Sequence, residues 1–199
     1  MSYLKLIYHY IITKIFYLPF CIASGKKVVI RNPILITPKS IIFGSRVFIR
    51  DFSRIEGVSK YGKLNFMPVI EIHDGVSIEQ NLHLTCAESI IISKNTAIAA
   101  NVTISDIIHQ YQDVKVPPEL HEIKVKKVYI GEDCKIYNNA VILPGVSLGK
   151  HCIVGANSVV TANIYQDYSI IAGIPAKIIK RYSFTEKEWL KTDSEGNFL

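Results

Sequence analysis

The feature that most constrains this chain is a hydrophobic period of six residues. From Val128 onward, aliphatic residues occupy every sixth position: Ile130, Ile136, Ile142, Leu148, Val154 and Val160. Helices repeat at about 3.6 residues and strands at about 2, so neither element alone explains this spacing. Short strands joined by tight corners do explain it. Roughly eighteen residues would then complete one turn of a triangular prism, with the aliphatic side chains stacked inside.

The same period recurs upstream. One block has aliphatic residues at Ile72, Ile78 and Leu84, and after a slip of two residues the period resumes at Ile92, Ile98 and Ile104. A weaker copy lies earlier in the chain, at Phe43, Ile49 and Ile55. Asn95, Asn139 and Asn157 suit the corners, because asparagine tolerates turn conformations that other residues resist. An eighteen-residue coil predicts that Cys134 stacks on Cys152, as two buried, reduced thiols without a catalytic role.

Two segments interrupt the period. Residues 105–127 contain two prolines and several charges, and they predict a loop that projects from the coil. Residues 57–68 form a shorter interruption. Long excursions from a regular scaffold are often functional.

The sequence pattern predicts a helix at each end of the chain. In residues 1–27, an apolar stripe that includes Leu4 and Ile11 has helical spacing, with His9 and Thr13 on another side. This helix would pack on the prism or at a subunit interface. The alternative is a peripheral contact of residues 1–20 with the cytoplasmic face of the inner membrane. Ser183 and Glu186 have capping-box spacing, which predicts a short helix in the tail, 183–199.

Composition narrows the choice of partners. The 199-residue chain has a net charge of +6, which favours an anionic partner. It has no nucleic-acid recognition signature, so we expect that it does not bind nucleic acid. Its four cysteines show no metal-type spacing with its histidines, so no metal is implied. Reduced thiols and the absence of a convincing signal peptide predict a cytoplasmic protein.

The repeats resemble those of the hexapeptide-repeat acyltransferases, and the resemblance covers roughly residues 28–182. It implies a left-handed parallel β-helix with an N-terminal helical segment, a projecting loop and a short C-terminal helix. It also implies homotrimers, with an active site between neighbouring prisms, and acetyl-CoA as co-substrate. Within that family, the sequence resembles the bacterial sugar and polysaccharide O-acetyltransferases of the galactoside and maltose acetyltransferase type.

The histidine at position 109 is the candidate general base. It lies in the excursion, where those sugar acetyltransferases place their catalytic histidine, and an imidazole titrates near neutral pH. Asp106 or Asp113 could orient its ring, and the sequence does not choose between them.

The resemblance also implies binding residues. For the acceptor these are Asn81 and Glu88, with His83 at the rim. For the donor they are Ala156 and Thr161 along the pantetheine arm, and Lys177, Lys180 and Arg181 at the phosphates of coenzyme A.

The expected function is therefore transfer of an acetyl group from acetyl-CoA to a sugar hydroxyl, in the synthesis of a bacterial surface polysaccharide. One alternative is an acyltransferase with another acceptor: serine, an antibiotic hydroxyl or a nucleotide-linked amino sugar. A second alternative is a non-catalytic β-helix that serves as an assembly module.

Overall fold

The structure, a computed structural model, describes residues 3–199. Residues 1 and 2 of the predicted N-terminal segment lie outside the described residues. The chain opens with helix α1 (Tyr3–Ile12), a π-helical turn (Thr13–Tyr17) and a 3₁₀ turn (Leu18–Phe20). Further 3₁₀ turns span Pro38–Ser40 and Pro118–Leu120. Within residues 3–199, no helix has the length and apolar character needed to cross a membrane.

Three sheets form the walls of a prism, and their strands are parallel except for the last two strands of sheet 2. Sheet 1 contains β1 (Ala23–Ser24), β4 (Ile41–Phe43), β9 (Val69–Ile72), β12 (Ser89–Ile92), β17 (Val128–Ile130), β20 (Ser147–Leu148) and β23 (Ile164–Tyr165). Sheet 2 contains β2 (Val29–Ile30), β5 (Phe48–Ile49), β10 (Ser77–Ile78), β13 (Ala97–Ile98), β18 (Lys135–Ile136), β21 (Ile153–Val154), β24 (Ser169–Gly173), β25 (Ala176–Ser183) and β26 (Glu188–Lys191). Sheet 3 contains β3 (Leu35–Ile36), β6 (Arg54–Gly57), β11 (His83–Cys86), β14 (Thr103–Ser105), β19 (Val141–Ile142) and β22 (Val159–Val160).

The strand register confirms the coil length read from the sequence. Ile136 pairs with Val154 and Ile142 with Val160, eighteen residues apart in each case. Ile72 pairs with Ile92, so the coil that contains the predicted slip has twenty residues. The aliphatic position of each hexapeptide is buried, and these residues stack into columns along the prism axis.

The stacked cysteines follow the same register. The neighbouring residues Lys135 and Ile153 are paired, and both Cys134 and Cys152 are buried and free. A hydrogen bond with the Cys152 thiol, together with burial, raises the pKa of Cys134. A protonated, buried thiol packs as a small hydrophobic side chain.

The N-terminal helix is present, but it packs with its polar side inward. His9 and Thr13 are buried, whereas Leu4 is 77% exposed. The reason is that β2 is an edge strand: the Thr13 hydroxyl accepts a hydrogen bond from the Ile30 N–H at 2.8 Å and lies 3.2 Å from the Ile30 carbonyl oxygen. Satisfying this open edge outweighs burial of the apolar stripe. The first coil begins at β1, earlier than the predicted boundary at residue 28.

The short C-terminal helix predicted after Ser183 is wrong. β25 pairs antiparallel with β24, and β26 pairs antiparallel with β25. The Ser183 hydroxyl does accept a hydrogen bond from the Glu186 N–H, at 3.2 Å, but this bond closes the turn between β25 and β26. The tail is extended because it completes the end of sheet 2, where β24 would otherwise present an unpaired edge.

Candidate active site

His109 lies at the exposed end of a two-stranded stem. The chain leaves sheet 3 after β14, and β15 (Ile107–His109) pairs antiparallel with β16 (Ile123–Val125). The excursion predicted at 105–127 therefore has an ordered base, which sets where His109 lies above the prism wall.

Asp106 anchors this stem to the preceding coil. Its fully buried carboxylate accepts hydrogen bonds from the N–H groups of Ala87, Glu88 and Ser89, at 2.8, 2.8 and 2.9 Å, and from the Cys86 thiol at 3.3 Å. The two-residue slip thus forms a nest of backbone donors that binds a carboxylate. Burial, then the nearby Asp106 charge, raises the pKa of Cys86.

Neither aspartate considered from the sequence contacts His109. The Asp106 carboxylate is committed to the nest, and Asp113 Oδ1 instead accepts a hydrogen bond from the Lys115 N–H at 2.9 Å. The expectation that one of them orients the imidazole is not met in the described chain.

Tyr61 occupies the orienting position instead. The interruption at 57–68 forms a hairpin of β7 (Lys60–Tyr61) and β8 (Leu64–Asn65), and it brings the Tyr61 hydroxyl to 3.4 Å from Nδ1 of His109. The two rings meet edge to face, with centroids 5.5 Å apart. The same hydroxyl donates to the carbonyl oxygen of Glu119 at 2.9 Å.

These contacts favour one tautomer of His109. A carbonyl oxygen only accepts hydrogen bonds, so the hydroxyl of Tyr61 donates to Glu119. Its oxygen is then free to accept from an Nδ1–H of His109 across 3.4 Å, and in that tautomer Nε2 carries a lone pair. Partial burial, then the Glu119 carboxylate, raises the pKa of Tyr61, so this phenol is protonated at neutral pH.

A cleft of about 520 Å³ opens beside His109. Its floor is formed by outward side chains of three adjacent strands of sheet 3, and its wall by the two loops. The lining residues are Arg54, Glu56, Val58, Lys60, Tyr61, His83, Thr85, Ser105, Ile107, His109 and Glu119.

The floor of the cleft is polar and internally bonded. Arg54 Nε donates to Glu56 at 2.8 Å, and the Thr85 hydroxyl donates to the Ser105 hydroxyl at 3.0 Å. The Ser105 oxygen also accepts from the Ile107 N–H at 3.1 Å, which ties the floor to the stem of His109. Such a surface offers both donors and acceptors to a polyhydroxylated ligand.

Of the residues predicted to bind the acceptor, only His83 lines this cleft. Asn81 lies at a prism corner with a φ of 61°, at the start of an amide ladder. The Asn81 amide donates to Asn101, Asn101 to Asn139 and Asn139 to Asn157, at 3.0, 3.1 and 2.9 Å.

Glu88 also lies away from the cleft of its own chain. Its backbone N–H takes part in the nest around Asp106, and its carboxylate lies 3.5 Å from the Lys127 ammonium. Both ends of this ion pair are solvent-accessible, so it contributes little to stability.

The predicted donor residues lie toward the other end of sheet 3. Ala156 and Thr161 flank β22, the edge strand, which is separated from β14 by β19 alone. Two strand spacings place β22 about 10 Å along the prism from the strand that leads to His109. The predicted acceptor and donor regions are therefore neighbours on one wall.

The cations predicted at the phosphates lie on β25. Lys177 is exposed and pairs in register with Ala172, and Lys180 pairs with Ile170. Arg181 differs from the two lysines, because Nη1 donates to the Gly196 carbonyl oxygen at 3.1 Å and the guanidinium lies over the Phe198 ring. Arg181 thus holds the C-terminal tail in this chain.

Sequence reasoning missed Tyr61, Arg54 and Ser105. The only signal for Tyr61 was that its segment interrupts the sixfold period, as the segment of His109 does. Arg54 and Ser105 occupy outward positions next to in-phase aliphatic residues, a pattern that every coil shares. In residues 3–199, no cluster of three or more histidine, cysteine, aspartate or glutamate side chains could hold a metal ion.

Comparison with known proteins identifies related sequences. The family described as bacterial transferase hexapeptide (six repeats) matches residues 127–162. WbbJ of Escherichia coli, provisionally named a lipopolysaccharide biosynthesis O-acetyl transferase, is 36% identical over 62% of this chain and 66% of its own. The galactoside O-acetyltransferase of Escherichia coli is 30% identical over 61% of this chain and 60% of its own. The chain thus spans slightly less than two thirds of each relative.

The fold of nearly the whole chain is similar to that of a solved structure. The AntD N-acyltransferase of Bacillus cereus, in a crystal structure with dTDP and coenzyme A, superposes with a TM-score of 0.66 at 20% identity. The superposition covers 94% of this chain and 92% of AntD. The hexapeptide repeats and this superposition show that the fold is a hexapeptide-repeat, left-handed β-helix.

Proposed function

We propose that this chain is an acetyl-CoA-dependent O-acetyltransferase that acts on a sugar hydroxyl, with His109 as the general base. The observation that carries this proposal is the placement of His109. Its stem is anchored by Asp106, its Nδ1 faces Tyr61, and it lines a polar cleft on sheet 3. A β-helix that served only as an assembly module would need neither the excursion nor this cleft.

The proposed reaction is direct transfer. Nε2 of His109 takes the proton of the acceptor hydroxyl as its oxygen attacks the thioester carbonyl carbon. The tetrahedral intermediate then collapses, the carbon–sulfur bond breaks, and the imidazolium returns its proton to the leaving thiolate. The transfer requires no covalent enzyme intermediate.

We propose that the donor lies along the late coils of sheet 3. The outward residues change there from polar to apolar, because Val141 and Val159 follow the polar side chains of β11 and β14. An apolar strip suits a pantetheine arm, with Ala156 and Thr161 beside it. Lys177 and Lys180 would bind the phosphates of coenzyme A. Arg181 is less available for this role, because its guanidinium already donates a hydrogen bond to the Gly196 carbonyl oxygen in the C-terminal tail. The coenzyme A in the AntD crystal structure supports this class of donor.

We propose a carbohydrate acceptor in the cleft, destined for a bacterial surface polysaccharide. Alternating donors and acceptors on the floor match sugar hydroxyls, and the activities for which WbbJ and the galactoside O-acetyltransferase are named are of this class. Because acetyl-CoA is an intracellular metabolite, the proposed site of action is the cytoplasm.

The active assembly proposed is a homotrimer, as the family resemblance implies. Asn81 and Glu88 lie outside the cleft of their own chain. A role for them in acceptor binding therefore requires that a neighbouring copy bring its cleft against them.

The test is release of coenzyme A thiol from acetyl-CoA across a panel of acceptors: neutral sugars, nucleotide-linked amino sugars and serine. We expect acceptor-dependent release with sugar hydroxyls, and an ester product by mass spectrometry. Release that never exceeds the acceptor-free rate with any of them would favour the assembly module. A preference for the amino sugars or for serine would retain the enzyme and replace the acceptor.

A further inference from the structure

The N-terminal segment exposes apolar side chains along one side of the single chain. We define the outer N-terminal face as the exposed side chains that follow one side of α1 and the turns after it: Leu4, Ile7, Tyr8, Ile11, Ile15, Phe16 and Phe20. Ile11 and Ile15 are 48% and 56% exposed, and Phe20 is 65% exposed. A concentration of exposed apolar and aromatic side chains along one segment is typical of an interaction site.

This face cannot turn inward without loss. The opposite side of the segment is fastened to the prism, because the Thr13 hydroxyl bonds to Ile30 on the edge strand β2. Rolling the helix to bury Ile11 and Ile15 would break these bonds and reopen the sheet edge. The exposure is therefore a consequence of how the segment closes the prism.

The same end of the chain is rich in basic residues, although Arg31, Arg46 and Arg50 pair with carboxylates that follow later in the chain. Residues 1–50 contain 8 of the 23 basic residues and none of the 17 acidic residues, so the remaining residues carry a slight excess of acid. Lys14, Lys26 and Lys27 line one groove beside Tyr10. Within residues 3–199, none of these three lysines has a carboxylate at ion-pair distance.

We propose that the outer N-terminal face docks on the surface of an anionic lipid bilayer. An apolar strip flanked by lysines, with aromatic side chains among the apolar ones, is the arrangement by which a helix lies in the interface of a membrane. The ten residues of α1 extend only about 15 Å, half of a hydrocarbon core, so the contact is peripheral. This inference goes beyond the proposed function and does not depend on it.

The charges favour a bilayer over a second copy of the chain. If two copies paired through this face, the lysine groove of one would approach that of the other, and like charges would oppose the pairing. An anionic headgroup layer attracts the same lysines, each by an amount equivalent to about fivefold in affinity.

The test is sedimentation of the full chain with vesicles. One set contains phosphatidylcholine alone, and the other contains phosphatidylcholine with phosphatidylglycerol at about one third. We expect binding to the anionic vesicles that weakens as salt is added, and little binding to the neutral ones. Ile11→Glu combined with Ile15→Glu should lower the anionic partition by about tenfold or more, and Lys14→Glu with Lys27→Glu should lower it at least as much.

Matched controls lie at the other end of the prism. Ile164→Glu changes an exposed isoleucine there, and Lys187→Glu reverses an exposed lysine, so both should bind vesicles as the parent chain does. Circular dichroism of each variant is the check that it is folded. Equal partition of all variants, or no anionic binding by the parent chain, would overturn the proposal. The proposal would also be overturned if, without vesicles, Ile11→Glu changed the molar mass of the protein measured by light scattering. That result would assign the outer N-terminal face to contact between copies of the chain.

Discussion

The Tyr61 hydroxyl lies 3.4 Å from Nδ1 of His109, although the two residues stand 48 positions apart in the chain. Each belongs to a separate interruption of the sixfold repeat, and the stacking of coils brings the two loops together over the cleft. The hydroxyl donates a hydrogen bond to the Glu119 carbonyl oxygen at 2.9 Å, so its oxygen can accept one from the imidazole. We therefore propose Tyr61 as a positioning residue for the proposed base.

Tyr61→Phe tests this relationship. The loss of one hydrogen bond that selects the tautomer should lower kcat by about 3- to 10-fold, with a smaller change in the Michaelis constants. The pH profile of kcat should also shift, because the Nδ1 proton has lost its acceptor. A parental rate and pH profile in Tyr61→Phe would contradict the positioning role.

His109→Ala tests the proposed base itself. Removal of the group that accepts the hydroxyl proton should lower turnover by about 10²- to 10⁴-fold without unfolding the chain. His151→Ala is the matched control, because His151 is an exposed histidine that does not line the cleft. If both variants keep near-normal acceptor-dependent thiol release, His109 is not the base.

Lys177→Ala combined with Lys180→Ala tests the donor end. Because the predicted phosphate contacts are remote from the reacting carbon, the Michaelis constant for acetyl-CoA should rise more than that for the acceptor. Lys187→Ala controls for the loss of positive charge near the C-terminus. A selective loss of acceptor affinity would place the donor elsewhere.

Asp106→Asn tests the buried nest. The amide presents its own N–H donors to the backbone donors of Ala87, Glu88 and Ser89, so at least one buried donor would lose its acceptor. The free energy of unfolding should fall by about 2 kcal/mol in urea titrations. Asp113→Asn, at an exposed position of the same excursion, should change it by less than about 0.5 kcal/mol. If Asp106→Asn and Asp113→Asn lowered the free energy of unfolding equally, the nest would not contribute to stability beyond an exposed aspartate.

The surroundings of His9 predict that the N-terminal end loses stability in acid. Burial, then the Arg31 charge, lowers the pKa of His9 below its usual 6.5. The unfolded state therefore binds the proton more readily, and the contribution of neutral His9 to stability is lost as the pH falls below about 6.5. Between pH 7.5 and 5.0 the unfolding temperature should fall more for the parent chain than for His9→Gln. Parallel pH profiles of the two proteins would argue against this contribution.

The sequence alone determined the prism. The sixfold period predicted which side chains point inward, and the observed registers of Ile136 with Val154 and of Ile142 with Val160 confirm the coil. The two-residue slip and both interruptions were also visible, because each breaks a pattern that is otherwise repeated locally. His109 could be selected as a candidate for the same reason.

Only the tertiary structure decided what fills the ends of the prism and which loops meet. Local apolar spacing predicted helix α1 but not that its polar side faces the prism, and capping-box spacing predicted a C-terminal helix where the chain forms β26. In both places an open sheet edge needed hydrogen bonds, and that need outweighed local propensity. The pairing of Tyr61 with His109 and the burial of Asp106 likewise depend on coils that are adjacent in space and distant in sequence, and no local pattern records such contacts.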